Sequence, residues 1–253
     1  MTWPLRLRPF ALPCVVLILL EAWSRTVGRD SDALAPPSMA AWALARAAAD
    51  GSLIGATAFT LGSAAFGLGL GSLLGVALGT CLGLSQRAAV LGFFSIEVLR
   101  PIPSVALIPL AMLIYGFGMA MEISVVAFAC FWPMLILTQA ATRQVEPGLL
   151  EVAMALQLTP TAKFGSIVLP AIVPRLFVAL RLGVAIALVV AVTVEIAANP
   201  HGMGYALMIA QQSLEPALMM AWLFWIGLVG FAINALALRI QGAVARRMGE
   251  LGP

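Results

Sequence analysis

Charged residues are scarce in this sequence. Only 10% of its 253 residues are Asp, Glu, Lys or Arg, whereas 62% are hydrophobic, and the mean hydropathy is +1.04. Soluble globular domains carry about 25% charged residues, so the composition excludes an ordinary soluble domain. Because the apolar residues occur in long runs, we expect an all-α membrane protein.

Residues that carry out chemistry are scarce as well. Cys14, Cys81 and Cys130 all fall in apolar runs, where a free thiol behaves as a small apolar side chain. His201 is the only histidine, and without neighbouring carboxylate or cysteine ligands it is interpreted as a solvated loop residue rather than a metal ligand. No nucleophile and base occur together, so no catalytic, cofactor or metal site is predicted.

Charge-poor runs of about 20 residues predict membrane spans. The six predicted spans are 8–23, 59–84, 103–117, 123–141, 175–196 and 216–238. The first is interpreted as a retained span rather than a secretory signal, because Glu21, Trp23 and Arg25 stand where a cleavage site needs small residues. All six belong to one membrane domain, 1–253, with a core of about 59–239 and 8–23 as an extra span.

The segment 38–50 precedes the second span and carries Trp42 and Arg46. This composition favours a helix that lies in the membrane interface. We expect the chain to turn into the membrane near Ala58.

Basic residues indicate the orientation. With a cytoplasmic amino terminus, ten Lys and Arg residues lie in inner segments and three, Arg25, Arg29 and Arg46, lie in outer ones. Cytoplasmic loops are enriched in basic residues, so both termini are predicted to be cytoplasmic. The same asymmetry accounts for the pI of about 9.1, and no nucleic-acid partner is implied.

Glycine is concentrated in the second span. Five glycines recur at every fourth position there: Gly67, Gly71, Gly75, Gly79 and Gly83. Small residues at this spacing let two helix backbones approach closely in lipid. The face either packs against another helix of the same subunit, which we favour, or forms a contact between subunits.

Two features point to a pathway through the membrane. Pro101, Pro103 and Pro109 interrupt the third span, either as a broken helix beside a water-filled cavity, which we favour, or as a simple kink. Glu195 follows a long apolar run and is interpreted either as part of an outer gate or pathway wall or as a structural hydrogen-bonding group. Glu122 is taken as an interface charge at the outer end of the fourth span.

A polar loop separates the fourth and fifth spans. Its segment 149–158 has the pattern of a short amphipathic helix ended by Thr159-Pro160, with Glu151 near the start, where the helix dipole favours an anion. Such a helix can lie in a groove of a partner protein.

The same loop carries a recognisable pattern. Glu151-x-Ala153 followed by Ile167-x-Leu169-Pro170 resembles the signature loop of bacterial ABC-importer permeases, which forms the coupling helix that contacts the ATPase. That family usually has Glu-Ala-Ala, three residues, Gly, nine residues and Ile-x-Leu-Pro. Here Val152 replaces an alanine, and Gln157 stands in the place of the glycine.

Other stretches resemble permeases for nitrate, alkanesulfonates and taurine. They are 99–110 with 115–118 at the third span, and 195–199 with 202–205 after the fifth. The resemblance covers about 59–239. It implies the transport of a small solute, such as a sulfonate, taurine or nitrate, across a bacterial inner membrane.

The resemblance also implies partners: a second copy of the chain, two ATPase subunits on the cytoplasmic face, a solute-binding protein outside and membrane lipid. ATP and Mg would bind the ATPase, since this sequence has no Gly-x-x-x-x-Gly-Lys-Ser/Thr run. Within the loop, Glu151 is expected to orient the coupling helix and Ala153 and Gln157 to pack against the ATPase. Leu169-Pro170, which follow Ile167, are expected to set the turn into the fifth span.

Two other function classes stay open at this point. A stand-alone secondary transporter or channel would use the loop only as a linker and would leave the spacing of the loop residues unexplained. A receptor or assembly subunit would bind a soluble partner without moving a solute. Copurification of an ATPase and solute movement in vesicles separate these classes from a permease.

Overall fold

A computed structural model describes residues 8–27 and 35–247, and every regular element within these two ranges is helical. Arg6 and Arg29, which contribute to the charge count, lie outside the described residues. The α-helices are α1 Arg8–Thr26, α2 Pro37–Ala49, α3 Ser52–Leu84, α4 Gln86–Leu99, α5 Ile108–Tyr115, α6 Met119–Arg143, α7 Pro147–Ala155, α8 Pro160–Lys163, α9 Leu169–Ala197, α10 Gly202–Gln212 and α11 Pro216–Arg247.

Four of the described helical segments are long and apolar enough to cross a membrane. They are α3, α6, the continuous segment Pro160–Ala197 and α11, and they contain the second, fourth, fifth and sixth predicted spans. The all-helical prediction is therefore confirmed. The helix α1 at the first predicted span is not among these four.

The third predicted span, 103–117, is not one crossing helix. A 3-10 turn, Ser104–Leu107, leads into the eight-residue α5, and these twelve residues rise less than the roughly 30 Å of the hydrocarbon core. Together with α4 they form a pair bent by 82°. The prolines cause the break, because Pro cannot continue the helical hydrogen-bond ladder.

The turn before α3 also lies earlier than predicted. The chain breaks at Asp50 and Gly51, which has a φ of +81°, and α3 then runs without interruption through Ala58. The Asp50 carboxylate accepts a hydrogen bond from the Ser52 amide at 2.9 Å, and the Ser52 hydrogen bonds hold the pKa of Asp50 below its usual value. The chain therefore turns at Asp50 and Gly51, and the predicted turn near Ala58 is wrong.

The glycine face of α3 packs against α6 of the same chain. A Cβ on Gly71 would lie 2.4 Å from the Ala127 carbonyl oxygen, and one on Gly79 would lie 2.5 Å from that of Leu135. Distances this short leave no room for a side chain, so the glycines allow the two backbones to touch. The structure thus supports the interpretation as packing within one subunit.

The segment that leads into α9 contains an irregular helical turn. Residues Phe164–Val168 form a π-helical turn. Through this turn α8 continues into α9 as one helical segment, Pro160–Ala197, which includes Leu169 and Pro170. The wider turn accommodates a proline that has no amide hydrogen to donate. The predicted turn at Leu169-Pro170 is therefore wrong, and the helix instead begins at Pro160, where the Thr159 hydroxyl accepts from the Ala162 amide at 3.3 Å.

Candidate functional site

Two regions at opposite ends of α6 hold the residues singled out above. The first surrounds Glu195 near the end of α9, whose side chain is fully buried. The Thr60 hydroxyl donates to its Oε1 at 2.6 Å, and the Gly204 amide donates to its Oε2 at 2.7 Å. Of the two interpretations of Glu195, the hydrogen-bonding role is thus directly visible.

Glu122 belongs to the same cluster. It is also fully buried, the Ser63 hydroxyl donates to its Oε1, and the Asn199 amide donates to its Oε2 at 2.5 Å. The interpretation of Glu122 as an interface charge is therefore wrong. Its position in the first turn of α6 suggested exposure, but α3 and the turn after α9 cover it.

Two glycines make room for the Glu195 carboxyl. A Cβ on Gly202, whose φ is +90°, would lie 1.9 Å from Glu195 Oε1. One on Gly204 would lie 2.3 Å from the Val192 carbonyl oxygen. The Met203 amide between them donates to the Thr60 hydroxyl at 2.9 Å. The first turn of α10 is consequently wrapped around a carboxyl group of the preceding helix.

Neutral groups hold both carboxyls in place. Among residues 8–27 and 35–247 the one ion pair joins Arg25 to Glu21, far from this cluster. His201, next to Gly202, is exposed and stacks on Phe59 with ring centroids 5.1 Å apart. The sequence did carry a signal for the cluster, since Glu122 and Glu195 are the only acidic residues in the four apolar segments.

The second region is the loop helix α7. It begins at Pro147, two residues before the predicted start, and ends at Ala155, three residues before the predicted end. Glu151 therefore lies in the middle of the helix, where the dipole argument made for it no longer applies.

The end of α7 explains the position of Gln157. The Leu158 amide donates to the Ala153 carbonyl and the Gln157 amide to that of Met154, both at 3.0 Å, which is the Schellman arrangement. Gln157 occupies its left-handed position with a φ of +50°. Glycine favours this conformation, so the family glycine and this glutamine occupy a turn-forming position.

The two faces of α7 differ sharply in exposure. Ala153 is only 2% exposed, whereas Met154 and Leu156 are each 65% exposed. Ala153 and Leu158 line a cavity of about 470 Å³ together with Leu84 at the end of α3. Ala153 thus seats α7 on its own chain, and the side chains available to a partner are its exposed apolar neighbours.

The remaining predicted loop residues lie in the helix that follows. Ile167 is part of the π-helical turn and is half-buried, as is Leu169, whereas Pro170 is exposed. Beside them, Val168 and Ile172 form a buried cluster with Ala141 and Val145 at the end of α6. This packing joins the base of α9 to α6 directly below the loop.

The predicted pathway residues do not form one group. Pro101 and Pro103 lie in the break before α5, Pro109 lies in its first turn, and all three are exposed. The buried side of α5 belongs to the apolar cluster that contains Val190 and Val194, and Val194 directly precedes Glu195. The helix that carries Pro109 and the helix that carries Glu195 therefore share one packed apolar core.

Arg181 has a partner on another span. Its Nε donates to the Asn234 side-chain oxygen of α11 at 3.4 Å, and both groups are partly buried. Arg175 donates to the Ala141 carbonyl at 3.3 Å near the end of α6. The two arginines therefore make interhelical contacts.

The helical architecture and its apolar segments define a multi-pass membrane protein, and comparison with known proteins defines its family. Residues 67–250 match the family model described as binding-protein-dependent transport system inner membrane component. The chain belongs to this family of ABC-importer permeases, as its loop pattern indicated.

Comparison with individual relatives indicates a group of permeases within this family to which the chain is similar. The chain is 31% identical over 180 residues, 71% of its length and 65% of the relative's, to a putative aliphatic sulfonates transport permease, SsuC, of Bacillus subtilis (strain 168). It is 27% identical over 203 residues, 79% of its length and 70% of the relative's, to the nitrate import permease NrtB of Leptolyngbya laminosa. The similarity to the nitrate and sulfonate group of permeases is thus confirmed.

A solved structure shares the fold. A chain of the inward-facing MetNI methionine ABC transporter superposes with a TM-score of 0.64 at 19% identity, covering 80% of this chain and 96% of that one. The arrangement of the described helices is therefore that of ABC-importer permeases.

Proposed function

We propose that this chain is the membrane-spanning subunit of an ATP-driven importer, through which a small solute from an outer binding protein enters the cell. Two ATPase subunits on the cytoplasmic side would supply the energy and bind ATP and Mg. The observation that carries the proposal is the set of exposed apolar side chains at α7, a loop helix with the pattern of a coupling helix.

Exposure on α7 supports a protein partner. The helix has nine residues, far too few to cross a membrane, yet Val152, Met154 and Leu156 are all more than half exposed. Val152 and Leu156 lie about one turn apart on one side of the buried Ala153, and Met154 lies on its other side. Exposed apolar side chains on both flanks of a loop helix favour a contact surface. A short helix of this kind fits a groove in a partner.

The base of α7 supports the transmission of force. The cluster of Ala141, Val145, Val168 and Ile172 joins α6 to the start of α9, and Ala153 seats α7 beside them. A displacement of α7 by a partner would therefore act on two spans together. Coupling in this form needs packed elements that move as units.

The distribution of basic residues supports a cytoplasmic position for α7. With α7 inside, both termini are cytoplasmic and the Glu122–Glu195 cluster lies at the outer end. Six crossings then require α1 and the bent pair α4–α5 to serve as the first and third. We assign the chain to the bacterial inner membrane.

A second copy of the chain would complete the pathway. The bent segment around Pro101 and Pro103 leaves irregular backbone at the side of the bundle, and lipid cannot satisfy the hydrogen bonds of such backbone. A homodimer with a water-filled pathway beside the prolines would cover it. The prolines 101, 103 and 109 are therefore proposed pathway residues.

The proposed solute is a small anion, such as a sulfonate, taurine or nitrate. Support comes from the relatives, which are named for aliphatic sulfonates and nitrate. We expect the binding protein to contribute most of the selectivity. Uptake of labelled alkanesulfonate and nitrate by proteoliposomes that contain the full complex tests both solutes.

Glu195 is proposed to stand at the outer gate. Its replacement by Gln keeps the size and one acceptor oxygen but puts an amide group in place of the second acceptor, so the Glu195→Gln variant should alter uptake kinetics more than folding. Glu215→Gln, which changes an exposed carboxyl between α10 and α11, is the matched control. Uptake kinetics equal to those of the control would remove Glu195 from the gate.

Copurification tests the function itself. The tagged chain is expressed with the candidate ATPase and purified in mild detergent, and we expect the ATPase to be recovered in equal amount. Hydrolysis should then increase when solute-loaded binding protein is added to the reconstituted complex. A folded chain that moves solute without any ATPase would instead identify a stand-alone transporter.

A further inference from the structure

The Glu122–Glu195 cluster brings together four elements that are far apart in sequence. Thr60 and Ser63 come from α3, Glu122 from α6, Glu195 from α9 and Asn199 from the turn before α10. The hydrogen bonds that join them span between 59 and 143 residues of sequence, apart from the bond between Glu195 and Gly204. We call this group of five side chains the carboxyl joint.

The carboxyl joint extends to the first turn of α10. The Gly204 amide bonds to Glu195 and the Met203 amide bonds to the Thr60 hydroxyl, so two of the free amides at the start of α10 are used. A helix has free amides only at its amino end. The joint therefore fastens α10 by the one end that offers donors.

The other end of α10 makes no such bonds to the part of the chain that the structure describes. It terminates in a second Schellman arrangement around Leu214, whose φ is +55° and whose side chain is 72% exposed. Along its length α10 contacts α9, α11 and α3 through apolar side chains such as Met203 and Ala210. Among the described residues, the polar bonds of α10 to other helices are thus those of the joint.

The joint has the properties of an element with two states. All its side chains are buried, and each carboxyl depends on donors from other helices, so loss of one bond leaves a buried group without a partner. Such a cluster is either formed or opened as a unit, because packed polar networks do not deform continuously.

We propose that the carboxyl joint positions α10 across the outer end of α3, α6 and α9, and that it must open when solute enters from the binding protein. This inference rests on the proposed importer function and its orientation. Thr60, Ser63, Glu122, Glu195 and Asn199 are positioning residues, since none of them needs to touch the solute. A weakened joint should allow the complex to enter its hydrolysing state without the binding protein.

The Thr60→Val variant tests the proposal. Valine keeps the shape of threonine and removes the hydroxyl that links Glu195 to Met203. Thr193→Val in α9 is the matched control, because the Thr193 hydroxyl bonds only to the Val189 carbonyl of its own helix. Both variants are reconstituted with the ATPase, and hydrolysis is measured with and without solute-loaded binding protein.

We expect Thr60→Val to raise ATP hydrolysis in the absence of binding protein by about fivefold or more, and to lower the solute moved per ATP. A purely structural role would change the melting temperature but not the ratio of ATP hydrolysis without binding protein to ATP hydrolysis with it. Equal ratios in Thr60→Val and Thr193→Val would overturn the proposal.

A second pair covers poor folding of Thr60→Val. Ser63→Ala removes the hydroxyl that donates to Glu122. Ser124→Ala, which removes a hydroxyl that bonds within α6, is its control. The ratio of ATP hydrolysis without and with binding protein is compared in the same way. If solute-loaded binding protein stimulates hydrolysis by the unmodified complex and both joint variants match their controls, the proposal for the carboxyl joint is overturned and the proposed function stands. If the unmodified complex binds no ATPase, the proposed function fails and the joint with it.

Discussion

The two ends of α6 differ in how they hold the chain. At the Glu122 end, buried carboxyls and two glycines lock five segments together with little tolerance for change. At the Arg143 end, about 32 Å away along the helix, α7 rests on the chain through Ala153 and presents apolar side chains outward. One end is therefore built for internal fit, whereas the other presents the surface that we propose contacts the ATPase.

The largest effect is expected at the Glu122 end. Gly202→Ala would place a methyl group against Glu195 at a φ of +90°, and we expect a loss of about 3 kcal/mol in folding stability. Gly69→Ala, at a helical position with open space, is the control and should be neutral or slightly stabilising. Thermal unfolding in detergent measures both, and equal melting temperatures would contradict the tight fit.

A smaller loss is expected for a large residue at the seat of α7. Ala153→Trp would put a large indole where the buried Ala153 side chain meets its own chain and should cost about 1–3 kcal/mol. The helix would then detach from its base, and ATPase recovery would fall as a consequence. Unaltered unfolding and normal assembly would show that Ala153 does not seat α7.

Gln157→Gly should stabilise the same region. Glycine adopts the left-handed conformation without strain but loses more entropy on folding, so the net gain is about 0.5–1 kcal/mol. Leu214→Gly at the equivalent position after α10 should show a similar gain. Hydrogen exchange of α7 and α10 measures the two effects, and faster exchange in α7 would count against the assignment of Gln157.

The smallest effect on stability is expected on the exposed edge of α7. Met154→Ser should change the folding free energy by less than about 0.5 kcal/mol, yet reduce ATPase recovery about tenfold if Met154 is buried in the interface. Leu214→Ser, another exposed apolar side chain, should leave recovery unchanged. Equal recovery in both variants would show that Met154 lies outside the contact.

Local pattern predicted much of the fold. Runs of apolar residues located α3, α6, α9 and α11, because a helix that crosses the hydrocarbon needs about 20 such residues. The predicted spans miss the start of α3, the start of α9 and the end of α11. The glycine repeat predicted a close helix contact, but the partner helix α6 depends on the tertiary arrangement. The π-helical turn at Phe164–Val168 could not be predicted, since proline at position 170 ordinarily signals a helix start.

The site was predicted in part. The loop pattern identified α7 and the special position of Gln157, which the Schellman turn explains. Glu122 was misassigned because its neighbours in the cluster, Ser63 and Asn199, are 59 and 77 residues away. No periodic pattern links such distant residues, and only the packed bundle shows that Glu122 and Glu195 share one site.

Site-specific crosslinking to the ATPase tests most directly whether α7 is the coupling helix. A photo-crosslinking amino acid is placed at position 154 on α7 and, as a control, at position 214 after α10, in the complex reconstituted in lipid. We expect an adduct with the mass of the ATPase from position 154 and none from position 214. No adduct from 154, or equal adducts from both positions, would contradict the assignment of α7 as the coupling helix.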